Sequence, residues 1–251
     1  MNPLPNNSRG HPLDEWLSFE QESISKFKKV YPDLWKVFGD SINLARAIPY
    51  VIGQQDGLTE IEMHRLFLWQ KVLHYQTQSL FLLLQSQLDA GFALLRLAAE
   101  LSRDVICIAD DKKMLTIWLE RENKPNEYKK HFKFKQNSPD EEAVHTVYKF
   151  ASKFGVHGHQ TDTMFSEIIG TIGENSSLLS WGVSNYGVLD AVHMWLMSFL
   201  PMHHICAKSF ISRYFEIRPE IFLTLRDYEV TMNSFIQKVS EHLEGLKKST
   251  N

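Results

Sequence analysis

TEIEMHRLFLWQKVLHYQTQSLFLLLQSQLDAGFALLRLAAELSRDVICIA, residues 59–109, decides the fold. Leu66, Trp69, Val72, Leu73, Leu80, Leu83 and Leu84 recur at spacings of three and four, the mark of one buried helical stripe. Phe92, Leu95, Ala99, Val105 and Ile106 continue the helical pattern on a second stripe. Thr59 followed three residues later by Glu62 has capping-box spacing and predicts the helix start. A single helix over all these positions would run about 75 Å at 1.5 Å per residue, too long for a compact domain. The chain is therefore expected to turn at Gln85–Leu88, with Asp89 as a cap, and to fold back as a long antiparallel helix hairpin.

Working outward, helical spacing begins at Asp14 and takes in Trp16, Phe19, Ile24, Phe27, Val30 and Tyr31 before Pro32 interrupts it. A second helix is expected over Asp33–Ile48, ended by Pro49. Beyond the hairpin, a helix over 111–122 carries Leu115 and Trp118. Ser138 and Pro139 place a cap and a first helical position. The helix they open is expected to reach Phe154, with Gly155 as its stop. Residues 155–184 read as loops with a small β-hairpin near 165–184, EIIGTIG against LLSWGV. Two helices close the chain, 186–215 with a kink at Pro201 and 219–246. No strand–helix alternation suggests a parallel sheet. The expected fold is an all-α bundle: a disordered stretch over 1–13, rich in Pro and Asn, and one helical domain over 14–247.

With 251 residues, 43% hydrophobic and 23% charged, the chain can bury a substantial core. A net charge of −3 gives no whole-molecule field for nucleic acid, so any basic contact must be local. Cys107 and Cys206 stand alone in apolar helical contexts, which disfavours a thiolate metal site or redox motif. The first residues lack a signal-peptide core, and the apolar runs at 80–85 and 194–206 are too short to span a bilayer. The chain thus reads as soluble and cytoplasmic, with no membrane partner. Phosphate-loop, dinucleotide-fold, serine-hydrolase and kinase motifs are absent, and no cofactor is expected.

Three stretches carry candidate chemistry. The first is histidine-rich: His157 and His159 in KFGVHGHQTD, with His193, His203 and His204 later. Their spacings match no zinc motif, so no metal site is assigned, and metal-dependent hydrolysis ranks last among the readings. The second is LLRLAAE, where Arg96 and Glu100 share a helix face among Ala and Leu. Such charges either pair and clamp helices together, or Arg96 faces a cleft and binds an anionic group such as phosphate. The third is NEYKKHFKFK, residues 126–135. It carries Lys129, Lys130, Lys133 and Lys135 against one glutamate, interleaved with Tyr128, Phe132 and Phe134. Cations for phosphates and rings for bases suit single-stranded nucleic acid. The alternative is an amphipathic helix with inward rings and solvated lysines.

LLRLAAE (94–100), the Trp118 region and KFGVHGH (153–159) together resemble uncharacterised bacterial helical proteins allied to the HEPN superfamily, over roughly residues 59–160. That resemblance implies an all-helical fold and an RNA-directed, metal-independent ribonuclease activity in defence or stress response. HEPN ribonucleases use an Arg-x(4–6)-His motif at a helix end. Here only His157 matches it, because Ser152, Ala151 and Phe150 stand at the arginine positions. On this resemblance His157 is the general acid or base, and Arg96, partnered by Glu100, supplies the transition-state cation from the neighbouring helix. The competing reading is a non-enzymatic interaction or regulatory module, whose surface takes another protein or a second copy of the chain.

Overall fold

The computed structural model describes residues 12–54, 56–85, 87–109, 111–135, 137–156, 166–171, 177–183 and 185–210, with single positions at Val230, Ser234, Gln237 and Glu241. Eight helices are seen among these residues. They are α1 Pro12–Val30, α2 Pro32–Gly53, α3 Glu60–Leu84, α4 Leu88–Ile108, α5 Lys112–Leu119, α6 Pro125–His131, α7 Pro139–Val156 and α8 Asn185–Lys208. Strands β1 Ser166–Thr171 and β2 Ser177–Val183 pair antiparallel, with Ser166 opposite Val183 and Thr171 opposite Ser177. The architecture is an all-α bundle carrying one small hairpin. No described helix is long and apolar enough to cross a membrane.

The central hairpin forms as its pattern requires. The Thr59 hydroxyl accepts from Glu62 N–H at 3.2 Å, and the Glu62 carboxylate accepts from Thr59 N–H at 2.7 Å, closing the capping box. The reversal falls between Leu84 and Leu88, inside the stretch where length alone demanded it. Asp89 lies in the first turn of α4 instead of capping it; Gln87 holds the cap position without a side-chain bond. Close approach of the two helices depends on Gly91. A Cβ there would lie 2.6 Å from Leu83 Cδ2, and Ser79 Oγ donates to the Gly91 carbonyl at 2.7 Å.

Two predicted helix stops are overrun. Pro49 lies inside α2, which continues to Gly53, because Ile48 and Ile52 on either side are both buried in the core. Packing of that apolar face outweighs the lost backbone bond. Gly155 lies inside α7, which runs to Val156. The start of α7 matches its signals: Glu141 N–H donates to Ser138 Oγ at 3.3 Å, with Pro139 in the first turn. Helix α8 carries Pro201 in its interior. Trp69, Phe92 and Leu95 from the hairpin meet Val147 and Ala151 of α7 and Trp195, Leu196 and Phe199 of α8 in one continuous core.

Candidate nucleic-acid interface

Helix α6 is two turns long and too short to hold itself in water. Its place is fixed from beneath. Tyr128 stacks on Phe132 with centroids 4.7 Å apart, and Phe132 is buried. The backbone then bends tightly at Phe132 (φ −94°, ψ 77°), where Lys133 N–H reaches the His131 carbonyl at 3.2 Å. From there side chains alternate as in an extended segment: Lys133 outward, Phe134 inward, Lys135 outward. Lys129 and Lys130 are exposed on the last turn of α6, where cations suit the helix dipole. All four predicted lysines therefore face solvent on one short segment.

The interleaved aromatics do not share that exposure. Phe134 lies 5.0 Å from the His145 ring, nearly parallel to it, and 4.6 Å from Tyr148. The Arg103 guanidinium sits 5.1 Å from the Phe134 centroid. The rings anchor the lysine segment to α4 and α7 instead of projecting from it. A crevice behind Lys133 and Lys135, lined by Arg103, Cys107, Phe134 and Glu141, has a free volume of about 10 Å³, enough for one water molecule.

Behind the segment lies a buried polar cluster centred on Asp104, a residue the sequence reading did not place in any site. Asp104 is 2% exposed. Arg103 Nη2 donates to its Oδ1 at 2.7 Å, Trp118 Nε1 to its Oδ2 at 3.0 Å, and the Tyr128 hydroxyl to Oδ2 at 2.8 Å. Arg103 Nη2 also donates to the Tyr128 oxygen at 2.7 Å. Burial raises the Asp104 pKa, while Arg103 and the two hydrogen-bond donors pull the other way. One carboxylate thus joins α4, α5 and α6 and sets where the lysines stand. The signal for it was an acid in an apolar helix stripe followed by a Trp and a Tyr that each need an acceptor.

Arg96 and Glu100 form the expected pair, with Arg96 Nε 3.1 Å from Glu100 Oε1 and side chains 33% and 25% exposed. Arg96 also lies 5.5 Å from the Tyr148 centroid, and Phe92 meets Phe150 edge-on at 5.4 Å, so α4 and α7 run antiparallel here. Tyr148 stands eight residues before the end of α7, about 12 Å along its axis. Arg96 thus meets α7 well short of the helix end that precedes His157. His157 and His159 themselves lie outside the described residues.

The remaining histidines are engaged. His203 is buried between α3 and α8, and its Nδ1 accepts the Trp69 indole N–H at 2.8 Å. The neutral ring then carries its proton on Nε2, which finds no partner among the described residues. Burial lowers the His203 pKa to about 3, with neighbouring His204 adding to the effect. His204 faces Asp140 of α7 at 3.8 Å, and Lys208 pairs with the same carboxylate. Among the described residues no group of three or more His, Cys, Asp or Glu could hold a metal ion. No protein-family model, curated protein or solved structure matches the chain.

Proposed function

We propose that this chain is a helical RNA-directed protein of HEPN-like type, and that the lysines of α6 and the segment after it make its contact with RNA. The observation that carries the reading is the joint exposure of Lys129, Lys130, Lys133 and Lys135 on a segment pinned from beneath by Asp104, Tyr128 and Phe134. Because the backbone beneath the lysines is already held, contact with phosphates costs side-chain ordering and little backbone ordering. Catalysis, on this reading, belongs to His157 as acid or base, with Arg96, partnered by Glu100, as the transition-state cation.

Incubating the purified chain with total RNA, with and without EDTA, tests both halves. Retention of RNA at low salt, lost when all four lysines become Gln, is the expected result for the contact surface. EDTA-resistant cleavage abolished by His157→Ala and by Arg96→Ala, with folding intact, is the expected result for the chemistry. A wild-type chain that neither retains nor cuts RNA overturns the proposal. The second reading, a non-enzymatic interaction module, is favoured by Met63 and Phe67, which stand one turn apart on α3 and are each about half exposed.

A further inference from the structure

The aromatic rings decide what kind of nucleic acid the lysine segment can take. Proteins that hold single strands without sequence preference present free ring faces for the bases. Here Phe134 is partly buried with its ring packed against His145, Tyr148 and the Arg103 guanidinium, Phe132 is 3% exposed, and Tyr128 stacks on Phe132. The Tyr128 hydroxyl is committed to Asp104. Freeing any of these rings would break the packing that fixes the segment. What the segment offers a ligand is four ammonium groups. Lys133 and Lys135 point the same way about 7 Å apart, the i, i+2 spacing of an extended chain. That is the same order as the distance between successive phosphates on a strand.

We infer that residues 129–135 form a phosphate-only contact for the backbone of a nucleic-acid duplex, double-stranded RNA on the proposal above, with no direct reading of bases. A duplex keeps its bases inside and carries about twice the charge per unit length of either strand, so it gains most from lysines alone. The inference rests on the RNA-directed reading for the lysines as a nucleic-acid contact and for the choice of RNA over DNA. Four phosphate contacts set a slope of about −3.6 for log K against log salt, or roughly a hundredfold loss of affinity between 50 and 200 mM salt.

The test is fluorescence anisotropy of the full chain with a labelled RNA duplex, each of its single strands, and the DNA duplex of the same sequence, over that salt range. Expected is tighter binding to the RNA duplex than to either strand, unchanged when the base sequence is scrambled. The slope should fall close to zero when the four lysines become Gln, while circular dichroism stays native. Preference for a single strand or dependence on sequence overturns the inference and leaves the RNA-directed reading standing, whereas an unchanged slope in the four-lysine variant overturns the inference and, with it, the lysines as the RNA contact. Equal binding of RNA and DNA duplexes keeps the duplex contact and removes the restriction to RNA. Absence of binding to every probe overturns both.

Discussion

Two buried polar clusters brace this bundle, and they are built in opposite ways. At the C-terminal end of α4, Asp104 receives hydrogen bonds from Arg103, Trp118 and Tyr128, so a buried charge is met by a cation and two neutral donors. Between α3 and α8, His203 accepts one bond from Trp69 and leaves Nε2 without a partner among the described residues. Gln76 nearby on α3 likewise leaves its Oε1 unpaired among the described residues, although its Nε2 reaches Met202 Sδ at 3.0 Å and its backbone carbonyl accepts Trp195 Nε1–H at 2.7 Å. The saturated cluster has much to lose when one member is removed. The unsaturated one already carries part of that cost.

The largest expected effect follows directly. Asp104→Ala leaves the partly buried Arg103 guanidinium without its carboxylate and the Tyr128 hydroxyl and Trp118 indole without their acceptor, and should cost about 3–5 kcal/mol in chemical denaturation. It should also loosen α6 and so weaken any RNA contact made by the lysines. His203→Leu strands only the Trp69 indole and should cost about 1–3 kcal/mol. Adding Trp69→Phe to His203→Leu removes both polar partners, so the double variant should lose less than the two single losses added together. A loss at His203→Leu equal to that at Asp104→Ala, or strict additivity in the double variant, would remove the distinction between the clusters.

Acid separates them again. The His203 pKa is depressed to about 3 by burial, whereas an unfolded histidine titrates near 6.5. Above 6.5 the ring is neutral in both states and costs nothing. As pH falls from about 6.5 toward 3 the unfolded chain takes up a proton that the folded one resists, so this stability is lost on acidification. Protonation would also turn Nδ1 into a donor facing the Trp69 N–H. Asp104 runs the other way: its folded pKa is raised, so its term favours folding at low pH and is lost as pH rises through the folded value. Denaturation midpoints between pH 4 and 7 should fall toward acid in the wild type and flatten in His203→Leu. A wild-type profile as flat as the variant's would mean that His203 is not the group responsible.

How far sequence reaches can be judged on the same elements. The hairpin of α3 and α4 was legible because a capping box marks its start and chain length forces a turn near residue 86, two constraints that need no tertiary contact. Pro49 and Gly155 misled as stops because each is only a local signal, a missing N–H donor at Pro49 and backbone freedom at Gly155, and in α2 the core contacts of Ile48 and Ile52 outweigh it. The lysines and the pair of Arg96 with Glu100 were legible because charge runs and i, i+4 spacing are local patterns. The Asp104 and His203 clusters were not, since, adjacent Arg103 aside, their partners come from 14 to 134 residues away. In each, an indole whose N–H must find an acceptor in the core was the clue.

Arg96 supplies the smallest expected effect and the sharpest control. It is one-third exposed, pairs with Glu100 one turn along the same helix, and rests over Tyr148. A partly exposed i, i+4 pair and a partly exposed cation–ring contact together stabilise by about 1 kcal/mol or less. Arg96→Gln should therefore shift the denaturation midpoint only slightly, far less than Asp104→Ala. A loss of several kcal/mol would show that this pair belongs with the Asp104 cluster after all. If the shift is small, the variant folds as the wild type does, and a loss of RNA cleavage in Arg96→Ala or Arg96→Gln can be assigned to chemistry and not to unfolding. The two buried clusters allow no such separation, because a change in either loosens the bundle itself.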